Sequence, residues 1–143
     1  MCGGVEAREA EKVWKIYFPN PKSALPVLLE GSGQLDWIQW GRRKEEPGEG
    51  PPGGWARLIT VQAGGWIKYR PRQGLAMVQR FMEKDGKPGD KNRQSHWFDV
   101  PDGQALKCLV IGEGEQKRVY IVTTDAPAEL AWIHDRWPLL ERV

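Results

Sequence analysis

Cysteine and histidine are scarce in this 143-residue chain, which has two of each: Cys2, Cys108, His96 and His134. None of the four falls at the close spacing of a zinc site, so neither a metal nor any other cofactor is expected. No apolar run approaches the ~20 residues that a membrane-spanning helix needs. No sign of charge dominates either. Twenty-one Lys and Arg face nineteen Asp and Glu, a net charge of +2 that announces no polyanionic partner by itself. Gly48–Gly54 is not followed by Lys-Ser/Thr, which excludes a phosphate-binding loop of the nucleotidase type. There is no internal repeat. The opening Met1-Cys2-Gly3-Gly4 carries no apolar leader, so reduced thiols and a cytoplasmic location are expected. Phe and Tyr occur three times each, whereas Trp occurs eight times.

What is present reads as one soluble domain over residues 1–143, with 40% hydrophobic and 28% charged residues. The basic side chains Arg42, Arg43, Lys44, Lys68, Arg70, Arg72 and Arg80 gather in the middle third and read as solvated surface. Residues 5–17 suit a short helix running into a strand. Val27–Glu30 and Leu35–Trp40 read as strands. Residues 41–54, with five glycines and three prolines, read as a flexible surface loop. Ala56–Val61 reads as a strand, whereas Gln73–Phe81 fits helix and strand equally. His96–Val100 resumes as a strand. Leu106–Ile111 and Val119–Thr124, joined across Gly112–Gln116, form the clearest hairpin, with Cys108 as a buried strand residue. Asp125 and Pro127 predict a helix over 126–133 that ends near His134. The pattern is α+β and β-rich, with short helices.

Cys2 carries the most distinctive chemistry. Removal of Met1 would leave it with an α-amine and a thiol on adjacent carbons. The amine, with a pKa of about 7.7–8.0, is partly neutral near pH 7 and can attack an aldehyde to form an imine. The thiol can then close a five-membered thiazolidine. A cysteine at position 2 is also compatible with mere accident, and the remainder of the chain decides between the two.

Met1-Cys2-Gly3, Trp40-Gly41, Phe81-Met82-Glu83, Trp97-Phe98, Val122-Thr-Thr124 and Ile133-His-Asp-Arg-Trp-Pro-Leu139 follow one another in a familiar order. The chain resembles the SRAP family, the SOS-response-associated peptidase-like proteins that crosslink to abasic sites in single-stranded DNA. The resemblance implies a curved-sheet or barrel-like core, shortened at the C-terminus. It implies Cys2 as nucleophile, Glu83 as proton shuttle and His134 as the group that assists sugar opening, with no cofactor. It also implies DNA contacts from Arg57, Trp40 and Asn20, autocatalytic or aminopeptidase removal of Met1, and a bacterial or phage-encoded monomer that is cytoplasmic and nucleoid-associated. The chain departs from the family at Trp55, where an asparagine would support the cysteine, and at Gly4, where an arginine is usual. Each residue has an ordinary alternative: Glu83 as a surface carboxylate, His134 as a helix-end partner, Arg57 as half of an ion pair, the tryptophans as core. Rival functions are single-stranded DNA binding without a crosslink, and a phage-related scaffold for protein partners.

Overall fold

The computed structural model describes residues 3–143. The chain lays down β1 (Gly4–Glu9), β2 (Lys12–Tyr17), β3 (Ala24–Leu29), β4 (Leu35–Gln39) and β5 (Trp55–Arg57), then the five-residue helix α1 (Leu58–Gln62). There follow β6 (Arg72–Ala76), β7 (Arg80–Lys84), β8 (Ser95–Asp99), β9 (Gln104–Ile111), β10 (Arg118–Asp125), β11 (Arg136–Pro138) and β12 (Leu140–Arg142). Three single 3-10 turns, at 67–69, 114–116 and 128–130, complete the regular structure. A small sheet has the order β2-β1-β7-β8, and a larger one runs β11-β10-β9-β6-β3-β4. β12 pairs with β9, and β5 lies parallel to β10. The fold is therefore β-rich with few, short helices. Of the curved-sheet or barrel-like core that the resemblance implies, a closed barrel does not occur among the described residues, although an isolated parallel bridge between Trp40 and Val119 ties the chain after β4 to β10.

The alternation of side chains along β9 and β10 explains the layering. Leu106, Cys108 and Val110 of β9, with Val119 and Ile121 of β10, face one core. Val5 and Ala7 of β1 and Phe81 of β7 meet them there, so this core lies between the two sheets. Leu109, Ile111, Tyr120 and Val122 face the other way, onto Trp66, with Leu58 and Tyr69 packed alongside. Period-2 alternation with both faces covered requires a near-continuous apolar run, which is what residues 105–111 supply. Full burial of Trp40, Tyr120 and Phe81 contributes about 1.5–3 kcal/mol or more apiece.

Three segments differ from the sequence reading. Residues 5–17 form the β1–β2 hairpin, not a helix, because Val5 and Ala7 face the core at strand spacing. Its turn passes through Ala10 at φ 54°, a conformation usually signalled by Gly, Asn or Asp, so the sequence carries no turn signal. The strand expected over Ala56–Val61 ends at Arg57, and α1 takes over. The helix expected over 126–133 is only a 3-10 turn. The Asp125 carboxylate accepts from the Arg136 guanidinium at 2.9 Å instead of capping a helix. Asp125 also pairs in register with Arg136, so the ten residues between them must reverse direction within one loop.

The 41–54 loop is tied at several points. Arg42 donates through Nε to the Gly50 carbonyl at 2.7 Å and through Nη1 to that of Glu46 at 2.7 Å. Tyr120 donates to the Pro51 carbonyl at 2.8 Å, and Trp40 Nε1 to that of Gly54 at 3.0 Å. Gly41 stands at the entry with φ 60°, and a Cβ there would lie 2.6 Å from Gly54 Cα and 2.8 Å from the Phe18 ring. Gly41→Ala is accordingly expected to destabilise the chain by about 2 kcal/mol or more, read as a lowered denaturant midpoint at constant slope.

Candidate functional site: a cleft beside the amino-terminal strand

β1 lies between β2 and β7, with Gly4 opposite Tyr17 on one side and Met82 on the other. The Gly3 N–H donates to the Met82 carbonyl at 3.2 Å, and the Gly3 carbonyl accepts from the Phe18 N–H at 3.1 Å. Gly3 is thus fixed between two strands of chain. Cys2, the expected nucleophile, lies outside the described residues; Gly3 is the residue to which it is bonded. A cleft of about 470 Å³ opens beside Gly3, walled by Met82, Phe18, Trp55, Arg93 and His134 among others.

Glu83 follows Met82 on β7. Strand alternation turns Met82 toward the cleft and Glu83 inward with Phe81, and Glu83 has no exposed surface. Burial pushes its carboxyl up to about 7. Near neutral pH it is therefore divided between acid and carboxylate. That is the condition in which one group can both give and take a proton.

The loop that carries His134 crosses the same inner face of the small sheet. Trp137 packs against Phe81 and Phe98, with ring centroids 5.4 and 4.8 Å away, while Trp132 meets His96 at 5.4 Å. His96 is the register partner of Glu83. His134 lies in sequence between these two tryptophans and lines the cleft on the side of β7 that Met82 and Lys84 share. Pairing of Thr123, Thr124 and Asp125 with Pro138, Trp137 and Arg136 brings the Val-Thr-Thr and His-Asp-Arg-Trp-Pro stretches side by side. His134 Nδ1 accepts from the Arg136 N–H at 3.1 Å, which leaves Nε2 to carry the proton. The Asp135 carboxylate stands 3.3 Å from the same Nδ1, a contact that is an ion pair only with the imidazolium. Burial lowers the His134 pKa, so the neutral ring is the form we assign at neutral pH.

The opposite wall is aromatic. Phe18 lies 4.8 Å from Trp55 and 5.6 Å from Trp40, ring centre to ring centre. Trp55, which stands where the resemblance would place an asparagine, therefore supplies an apolar wall. Trp40 was expected to contact DNA, but its side chain is fully buried and its Nε1 is bound to Gly54, so it cannot stack on a base. It supports the wall from behind. Arg43 fixes the segment that carries Phe18. Its guanidinium sits 4.2 Å over the Phe18 ring, donates to the carbonyls of Phe18, Trp40 and Asn20, and reaches Ser23 Oγ at 2.7 Å.

The two other expected DNA contacts lie at the margins. Arg57 is exposed at the end of β5, two residues beyond Trp55, which places it on the same strand face roughly 7 Å farther along. Asn20 is exposed in the turn after β2, where its Oδ1 accepts from the Lys22 N–H at 2.9 Å. Two cations went unnoticed in the sequence. Lys84 lines the cleft, and so does Arg93, whose Nε donates to the Asp85 carbonyl at 2.9 Å. No group of three or more potential metal ligands occurs among the described residues. No described helix is long and apolar enough to cross a membrane. A cleft with a neutral imidazole, two cations and an aromatic wall, next to the strand that buries Glu83, suits an anionic substrate with a planar, apolar part. No protein-family model matches the chain, and no curated protein matches it.

Proposed function

We propose that this cleft captures the aldehyde of abasic sites in single-stranded DNA through Cys2, once Met1 has been removed. The observation that carries the reading is the position of Gly3. The residue bonded to Cys2 lies in the wall of the cleft that His134 lines and beside the strand that holds Glu83. In the proposed reaction the Cys2 amine adds to the open-chain aldehyde of the deoxyribose. Loss of water gives the imine, and the thiol adds to the imine carbon to close a thiazolidine. One water leaves in all, and no oxidant or reductant is needed. Glu83 takes a proton from the amine and returns one to the departing hydroxyl, its pKa of about 7 making both transfers accessible. His134, neutral and carrying a proton on Nε2, assists opening of the sugar hemiacetal. Lys84 and Arg93 supply charge for the flanking phosphates.

The test is a denaturing gel of the full chain, its N-terminus at Cys2 verified by mass, mixed with single-stranded DNA bearing one abasic site. A heat-stable band shift supports the reading, and its absence from protein with a free Cys2 refutes it. Arg57, at the exposed margin, would grip the backbone. Arg57→Ala is expected to weaken DNA binding about tenfold while leaving the rate at saturating DNA within about twofold, measured by single-turnover kinetics over a DNA titration.

A further inference from the structure

On the outer side of the larger sheet, away from the small one, α1 and the turn that follows it cover Tyr120 and Leu109. Leu58 and Val61 pack inward, and Trp66 pins the turn, its ring centroid 4.9 Å from that of Tyr120 and 5.4 Å from that of Tyr69. With those side chains committed, Ile59 and Ile67 face water. They are 70% and 72% exposed, more than any other large apolar side chain among the described residues. The backbone that carries them is tied: the Gly65 N–H donates to the Thr60 carbonyl at 2.9 Å, and the Ile67 N–H to that of Gly64 at 3.2 Å. A Cβ on Gly64 would meet Ile67 Cδ1 at 3.2 Å, so the Ile67 side chain lies back over the turn toward the end of α1.

Beside Ile67 is a pocket of about 320 Å³ whose walls carry Lys68, Arg70 and Arg72. The Arg72 guanidinium is tied to the Gly112 carbonyl at 2.6 Å, whereas Lys68 and Arg70 are exposed. Arg70 has φ 53° and ψ 55°, a left-handed conformation that glycine or asparagine adopts at lower cost. The strain favours a role for its guanidinium over a role in the backbone. From Gly50 to Met82 the chain holds five Lys and Arg and no Asp or Glu. The acids of the pocket, Glu49 and Glu113, come from outside that stretch.

Exposed branched apolar side chains bordered by cations complement a segment that carries apolar and acidic residues together. We infer that this face docks a short acidic peptide segment of a partner protein, with an apolar side chain lying against Ile59 and Ile67 and a carboxylate entering the pocket of Lys68 and Arg70. Glu49 and Glu113 bear on the choice of partner. They repel a continuous run of negative charge, such as a nucleic-acid backbone or an anionic lipid surface, and leave room for single carboxylates spaced along a chain. The larger sheet and the core behind it separate this face from the small sheet and Gly3, so a docked peptide leaves the cleft open. The inference is independent of the proposed capture of abasic sites.

The experiment titrates the full chain against fluorescein-labelled decapeptides in which two aspartates flank a leucine, isoleucine or phenylalanine at varied spacing, read by anisotropy. The parent is expected to bind at least one of them with a Kd below about 1 mM. A peptide of the same charge with glycine in place of the apolar residue is expected to bind about fivefold more weakly. Ile59→Ser with Ile67→Ser is expected to abolish that preference. Arg70→Gly is expected to weaken the acidic peptide about two- to fivefold while Tm stays unchanged or rises, because glycine suits the φ of this position. A purely structural Arg70 would leave affinity unmoved, and Arg70→Gly tests the surface even if the serine pair fails to fold, which circular dichroism reports. Failure of every peptide to bind, parental affinity in both folded variants, or equal binding of the glycine peptide overturns the surface. So does an Arg70→Gly chain that loses oligothymidine or phosphatidylserine-vesicle binding but keeps the peptide, since the cations would then serve a polyanion.

Discussion

Cys2→Ala is expected to yield no covalent adduct at any incubation time, the largest effect of any substitution in the chain. The replacement keeps the α-amine and removes the thiol, so an imine can still form but nothing closes the ring. An imine hydrolyses reversibly and is not retained through heating in denaturant. The second cysteine cannot substitute. Cys108 is completely buried on β9, and burial pushes its thiol up to about 12, so almost no thiolate forms at neutral pH. The check is a denaturing gel with and without borohydride. Borohydride is expected to trap a reduced amine adduct from the variant, showing that the substrate still enters the cleft. An equally heat-stable adduct without borohydride would show that the thiol is dispensable and that the thiazolidine mechanism is wrong.

Glu83→Gln is expected to slow adduct formation by about 10²–10⁴-fold and to stabilise the fold above neutral pH. The first effect is the loss of a proton shuttle. The second follows from burial. In the unfolded chain this carboxyl titrates near 4.5, and in the folded chain near 7. Below about pH 4.5 it is protonated in both states, and its contribution to stability is fully present. As pH rises through 7 the folded protein must hold a buried carboxylate, and that contribution is lost. The difference between the two pKa values corresponds to on the order of 3 kcal/mol. Glutamine has nearly the same shape and never acquires the charge. The expected result is a Tm gap between variant and parent that is small below pH 4.5 and opens between about pH 4.5 and 7. A stability cost of this size at a carboxyl is the pattern that functional sites show when a group is kept for its chemistry. A gap that closed on raising the pH would mean that Glu83 is held as a stabilising carboxylate and serves no shuttle.

Legibility from sequence followed the physics of each element. The β9–β10 hairpin is readable because its strands are buried on two faces and so consist of near-continuous apolar runs, broken in β9 by Lys107, on either side of a Gly-rich turn. Glu83 and His134 are singled out by motif order alone; in the fold Trp137 packs on Phe81 and Trp132 meets His96, and His134, between them in sequence, lines the cleft. The β1–β2 hairpin was not readable, because its turn has Ala10 where a hairpin normally shows Gly or Asn. The loop after β10 looked helical because capping residues are present, yet Asp125 is engaged by Arg136, a partner eleven positions away. By sequence alone Arg43 is one of several solvated cations of the middle third. Its acceptors at Phe18, Asn20 and Ser23 lie twenty or more residues distant, and no local pattern encodes such a clamp. The Trp40-Gly41 pair has a structural explanation in place of the DNA contact that the resemblance implies for Trp40. The indole fills the core, and the glycine lets the 41–54 loop pass close to Gly54 and Phe18.

The central claim, that Cys2 joins its amine and its thiol to the lesion, is tested most directly by mass spectrometry of the adduct after trypsin and nuclease digestion. The account predicts the remnant of the ring-opened sugar on the peptide spanning residues 2–8, which ends at Arg8, at the summed mass less one water. It also predicts resistance of that peptide to thiol alkylation, because the sulfur is already bonded. A sugar remnant on a lysine such as Lys84, or an alkylatable Cys2 in the modified peptide, would contradict it.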